Sequence, residues 1–297
     1  MSLSRRRFLA AGALAAAAPA LRTEGAPGTA SLDAPLKFKL GIVTYNIAAK
    51  WDLPTVLKVL QQAKVSGVEF RTTHPHGVEP TLTSMERNDV KKRCADAGVT
   101  IWGLGTVCEF HAEDPAKVDG HIETCKRFVK LAADLGARGV KVRPNGLRKD
   151  VPPEKTLEQI GKALIPCGKA AAEAGVEVWV EVHGSKTQEP ANMKAIMEHC
   201  GHPAVGVCWN SNPTDVKDGS VKESFAMLKP WIKSCHINEL YKDGDGRYPY
   251  RELFSLLRNM GYDRYTLCEV AKSPPDAESG AEMLRYYKAL WTELARG

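Results

Sequence analysis

From Leu40 to the C-terminus, short apolar runs alternate with longer amphipathic stretches. The short runs are rich in β-branched and aromatic residues and are bounded by turn residues. They predict strands over Leu40–Ile47, Val68–Arg71, Thr100–Val107, Gly139–Arg143, Val176–His183, Ala204–Asn212, Ile232–Asn238 and Tyr265–Ala271. Between them, apolar positions recur at helical spacing, as in Leu53–Val65, Val118–Leu135, Pro153–Ala174 and Tyr250–Met260. Glycine stands in several helix-to-strand turns: Ser66-Gly67, Ala97-Gly98, Leu135-Gly136, Ala174-Gly175 and Met260-Gly261. There it accepts the left-handed conformation that closes a helix. Eight strands alternating with helices imply a parallel sheet, and that number closes into a single α/β domain, a (β/α)8 TIM barrel over residues 38–297. The competitor is an open doubly wound sheet. No Gly-x-Gly-x-x-Gly follows the first strand, which counts against its dinucleotide-binding form.

Residues two apart in a strand share a face. In Val178-Trp179-Val180-Glu181-Val182-His183 the valines form one face, so Glu181 and His183 point inward at the strand end. In Val205-Gly206-Val207-Cys208-Trp209-Asn210, the bulky positions pack outward, and Cys208, Asn210 and, further on, Asn212 face inward. The seventh strand places His236 and Asn238 together near its end, and the eighth ends in Glu269. Glu181, Asn210, His236 and Glu269 thus recur about once per βα unit and meet at the rim where barrels of this kind carry their active sites. Two carboxylates, an imidazole and an amide oxygen suit one divalent ion of the Mn2+, Mg2+, Co2+ or Zn2+ type.

On the fourth strand, Lys141 and Arg143 share a face opposite valines. They either hold a substrate oxyanion or pair with a neighbour such as Glu69 or Glu181. Glu109 and His111 follow the third strand and are candidates to line a substrate pocket, as is His183; ordinary polar loops are the alternative. His74 and His76 follow the second strand with the same two readings. Trp51 and Trp102 offer apolar sugar-facing surface, with core packing the stronger expectation.

The order Glu181-Val182-His183-Gly184, Trp209-Asn210-Ser211-Asn212, Cys235-His236-Ile237-Asn238, Cys268-Glu269-Val270 resembles the metal signature of the xylose-isomerase-like barrel superfamily of sugar phosphate isomerases and epimerases. The resemblance runs from about residue 38 to the C-terminus. It implies that Glu181, Asn210, His236 and Glu269 ligate the ion. It also implies that Glu181 and Glu269 shuttle protons beside a carbonyl of a small carbohydrate. The strand and loop positions themselves make His183, Lys141, Arg143, Glu109, His111 and Asn212 the candidates around the substrate. The second ligand of that pattern is usually Asp. Asn210 removes one negative charge, which implies a more weakly held, more Lewis-acidic ion, or loss of the metal altogether. Isomerisation, epimerisation and expulsion of a β-substituent, as from a 3-keto-glycoside, all begin with the same proton abstraction. Two other readings stand beside this one. An endonuclease IV-like metal nuclease needs more histidine and carboxylate ligands than these strand ends supply. A non-catalytic sugar-binding barrel would follow from metal loss at Asn210.

Charge and cysteines refine the picture. The net charge is +6, and half of it lies in residues 1–30, which hold Arg5, Arg6, Arg7 and Arg22 against Glu24. The rest is too mildly basic to argue for nucleic-acid binding. Ser4-Arg5-Arg6-Arg7-Phe8-Leu9-Ala10 fits the twin-arginine pattern, followed by an apolar run to Ala18 and small residues. Residues 1–30 are therefore expected to be a signal peptide and linker read by the twin-arginine export machinery, giving a periplasmic protein. Cysteine first occurs at Cys94, so no lipoprotein anchor is expected on the mature form. The eight cysteines lack the spacing of a disulfide scaffold or zinc ribbon and read mostly as buried thiols.

Overall fold

The structure is a computed structural model that describes residues 36–297. The expected signal peptide and linker lie outside the described residues. Eight units follow one another: β1 (Lys39–Val43), α1 (Leu53–Ala63), β2 (Gly67–Arg71), α2 (Ser84–Asp96), β3 (Thr100–Gly105), α3 (Pro115–Leu135), β4 (Gly139–Val142), α4 (Pro153–Glu173), β5 (Glu177–Glu181), α5 (Pro190–Cys200), β6 (Val205–Asn210), α6 (Lys222–Leu228), β7 (Ile232–Ile237), α7 (Tyr250–Asn259), β8 (Tyr265–Cys268) and α8 (Ala277–Arg296). All strand pairs are parallel, and β1 pairs with β8 to close the barrel. Local chemistry marks the helix starts. Asp52, Asp114 and Asp276 each accept a hydrogen bond from the first turn of their helix, and Thr83 and Glu86 form a reciprocal capping box.

Two expectations need correction. The strands β1, β3, β5, β6 and β8 stop earlier than the apolar pattern suggested. Residues just past them, such as Val182 and Val270, stay buried against the rim and keep a strand-like composition after the ladder has ended. Helix α1 is closed by Lys64 at φ 53°, not by Gly67. Gly67 serves packing: a Cβ there would lie 2.3 Å from the Tyr265 ring.

The core has two layers. Outward-facing residues such as Val178, Val180 and Val207 pack with the helices, while Val43, Trp102, Trp179, Cys208, Tyr265 and Leu267 fill the barrel interior. Trp102 and Trp179 stack at 5.2 Å, and a Cβ at Gly139 would strike the Trp179 ring at 2.6 Å. Trp51 and Trp102 are both buried packing residues. Below this layer Glu177 receives Arg264 at 2.7 Å and Arg138 at 3.1 Å, and accepts the Trp179 indole N–H at 2.8 Å. Burial alone would raise the Glu177 pKa, but Arg264 and Trp179 outweigh it and hold the carboxyl at about 2. The interior is therefore plugged at the N-terminal end, and open polar space remains at the C-terminal end. All eight cysteines are buried free thiols. Among the described residues no helix is long and apolar enough to cross a membrane.

Candidate active site at the strand ends

A cavity of about 350 Å³ opens at the C-terminal ends of the strands. Glu181 and Asn210, at the ends of β5 and β6, and Glu269, just past β8, line its floor, and His236 of β7 is buried against the two glutamates. The ladder fixes their registry, with Glu181 beside Cys208 and Asn210 beside His236. Ligand atoms of Glu181, His236 and Glu269 all lie within 4.8 Å of one another. The imidazole is the hub. His236 Nδ1 is 3.3 Å from both Glu181 Oε1 and Glu269 Oε2. Its Nε2, on the far side, is 3.3 Å from Glu69 Oε2.

Glu181 is the most heavily engaged of these carboxylates. Lys141 Nζ donates to its Oε2 at 2.7 Å, and Asn210 Nδ2 donates to its Oε1 at 3.2 Å. Burial pushes the Glu181 pKa up, but Lys141 and His236 prevail and hold it well below the usual carboxylate range. Burial likewise works against the Lys141 ammonium, yet Glu181, Glu69 and Glu269 raise its pKa. His236 is raised well above the ordinary imidazole value: burial opposes the charge, and Cys208, Glu269 and Glu69 together overcome it. The ion-pairing alternative for Lys141 is the one realised, although Lys141 still lines the cavity.

The residues suit a divalent cation on two counts. Glu181, His236 and Glu269 offer two carboxylates and an imidazole at ligand spacing. Asn210 Oδ1 is buried beside them with no hydrogen-bond partner among the described residues. Such an orphaned acceptor is costly in a protein interior, and a bound cation would satisfy it.

Around this floor, His183, Arg143 and Asn212 line the cavity. His183 Nδ1 has no partner among the described residues. The Asn212 amide is spent on the Val182 and Asn210 carbonyls, at 2.6 and 3.1 Å, so it braces the rim. Glu109 and His111 do not line the cavity. Glu109 is turned toward Arg143 at 3.0 Å and Asn145 at 2.7 Å, and His111 Nδ1 is buried with no partner among the described residues. His76 is a packing residue: its ring nitrogens meet the Arg71 carbonyl and the Val78 amide, and burial lowers its pKa to about 4.

The structure adds residues that the sequence reading passed over. Tyr45, Arg71, Glu239 and Lys242 line the mouth, beside Asn238. The Arg71 guanidinium lies 5.4 Å over the exposed Tyr45 ring. Glu69, weighed only as an ion-pair partner for Lys141 or Arg143, contacts His236. The signal was present: Glu69 and Arg71 flank Phe70 on an otherwise apolar strand, the same alternation that singled out Glu181 and His183.

Solved structures share this fold. The chain aligns with a D-psicose 3-epimerase crystallised with D-fructose at TM-score 0.72 and 16% identity, covering 88% of this chain and 100% of the other. The apo 3-keto-D-glucoside 4-epimerase from E. coli aligns at 0.70 and 15%, over 86% and 99% of the two chains. An L-ribulose 3-epimerase aligns at 0.70 and 19%, over 87% and 96%. At these identities the likeness speaks for the fold alone. The family model described as xylose isomerase-like TIM barrel matches residues 57–287, most of the chain. With the closed eight-stranded barrel and the cluster at its strand ends, the chain belongs to the xylose isomerase-like TIM barrel family.

Proposed function

We propose that this protein is a metal-dependent sugar isomerase or epimerase that moves a proton on the carbon beside a carbonyl. The observation that carries the reading is the convergence of Glu181, His236 Nδ1 and Glu269 within 4.8 Å at the floor of an open polar cavity. Glu181, His236, Glu269 and, through its orphaned Oδ1, Asn210 would hold one divalent ion. When bound, such an ion polarises the oxygens of a hydroxy-carbonyl unit and so acidifies the neighbouring C–H bond. The sugar epimerases that share the fold support this substrate class.

The two glutamates are not equivalent. Glu181 is pinned by Lys141 and Asn210, whereas Glu269 touches His236 and is the more open of the two to the cavity, at 14% exposure against 3%. Glu269 is the better-disposed base for taking the proton. Glu181, on the opposite side of the cluster, returns a proton. It carries no proton of its own, so the one it returns is supplied by the Lys141 ammonium hydrogen-bonded to its Oε2. Lys141 is also placed to stabilise negative charge on the substrate oxygen. Return to another carbon gives isomerisation, return to the opposite face gives epimerisation, and loss of a β-substituent gives elimination.

A nuclease is disfavoured by the ligand supply: among the described residues one cluster of histidine and carboxylates is found, with a single histidine in it. We also propose export through the twin-arginine route, on the strength of Arg5, Arg6 and the apolar run after them. The test of function is to incubate Mn2+-loaded protein with D-fructose, D-psicose and 3-keto-glucosides and to identify products by NMR. Epimerised, isomerised or eliminated products support the reading; no turnover of any of these sugars counts against it.

A further inference from the structure

Glu69 sits within β2, its side chain directed into the barrel and fully buried. A buried carboxylate is expensive unless something holds it. Its Oε1 has no hydrogen-bond partner among the described residues, and its Oε2 faces His236 Nε2 at 3.3 Å. The niche is made for it: a Cβ at Gly105 on the neighbouring strand would lie 2.8 Å from Glu69 Oε1. The other imidazole nitrogen points the opposite way, to Glu181 and Glu269. Glu69 therefore stands behind the histidine, on the side away from the ligand cluster.

We propose that Glu69 is a positioning residue that acts on the bound cation through His236, supplying from behind the imidazole the third carboxylate charge that Asn210 does not supply. The inference rests on the metal-dependent reading above. A carboxylate on Nε2 keeps the proton on that nitrogen, so the Nδ1 lone pair faces the ion, and it makes the imidazole a stronger donor. The donor set points the same way: Asn210 offers an ion an amide oxygen in place of a carboxylate, and Glu69 sets a carboxylate directly behind the imidazole.

The experiment is calorimetric titration of Mn2+ into chelator-treated full-length protein, for the parent, E69Q, N210D and the E69Q/N210D double variant. The parent binds one ion. E69Q binds it roughly 10- to 100-fold more weakly. In the double variant the new carboxylate at position 210 recovers most of that loss. A purely structural Glu69 gives a different pattern: E69Q binds like the parent, or its loss is not recovered by N210D, and either result overturns the inference. A second measurement needs no substitution and so survives poor folding of E69Q. The 15N shifts of His236 in Zn2+-loaded parent protein should show Nδ1 on the metal and a protonated Nε2; ligation through Nε2 overturns the inference. If the parent binds no divalent ion, the metal reading and this inference fall together. If it binds and E69Q is unaffected, only this inference falls.

Discussion

Lys141 Nζ lies 2.7 Å from Glu181 Oε2, and both side chains are buried at the base of the cavity. Each charge answers the other in a place where neither would survive alone. Of the carboxylates in the cluster, Glu181 is the one held by an ammonium. In the proposed reaction the same contact would make it a firm ligand and a weak base, and would leave Glu269 as the group that takes the proton.

Replacing Lys141 with Met should therefore strand a buried carboxylate. Breaking one partner of such a pair costs about 3–5 kcal/mol. Urea unfolding of chelator-treated protein at pH 7 should show a loss of that order; a loss under about 1 kcal/mol would mean the pair contributes little beyond a solvated contact. The Glu181 pKa is depressed in the fold, so its contribution is present above the unfolded value of 4.5 and fades as pH falls below it. The difference between parent and K141M should shrink in acid accordingly.

Asp215 provides a pH dependence of the opposite sign. Its Oδ2 accepts the Asn212 backbone N–H and the Tyr248 hydroxyl, and its Oδ1 has no partner among the described residues. Burial raises its pKa to about 8, against the two donors. The folded protein keeps a proton there that the unfolded chain, titrating near 3.8, has lost. Stability should fall as pH rises from about 4 to about 8, by up to about 1.4 kcal/mol per pH unit from this group. In D215N that slope should vanish, so the variant gains on the parent as pH rises. An unchanged offset from pH 5 to pH 8 would show that Asp215 is ionised throughout.

At the other end of the barrel, Glu177 ties Arg264 and Arg138 beneath the Trp102–Trp179 stack. E177Q should lower stability by about 2–4 kcal/mol, since it leaves a half-buried guanidinium without its carboxylate. It should leave Mn2+ affinity within about twofold of the parent, because it lies on the far side of the aromatic layer from the cluster. A tenfold change in affinity would show that the plug and the site are mechanically coupled.

How much of this was legible beforehand follows from backbone periodicity. Glu181, Asn210, His236 and Glu269 could be placed on one rim because they sit within strands or just past their ends, where direction alternates strictly. Glu69 obeys the same rule on β2 but lies deeper, and its partner is a nitrogen whose orientation only the folded barrel reveals. Loop residues obey no period. Glu109 and His111 were candidates for the pocket, yet neither lines it, and Glu109 is bound by Arg143 and Asn145. Tyr45, Glu239 and Lys242 reach the cavity by loop paths with no sequence signature. Lys141 could be assigned a direction but not a role, since inward-facing cations serve ion pairs and substrates alike.

The central claim is that this cluster moves a proton on carbon, and solvent exchange reads that directly. Mn2+-loaded protein is incubated in D2O with a ketose shown by NMR to be turned over, and deuterium at the carbon beside the carbonyl is followed with time. The account predicts steady incorporation by the parent and a rate at least about 100-fold lower in E269Q with metal binding verified, the scale expected for removing a general base. Incorporation by E269Q at the parent rate, or turnover by the parent with no deuterium entering the product, would contradict it.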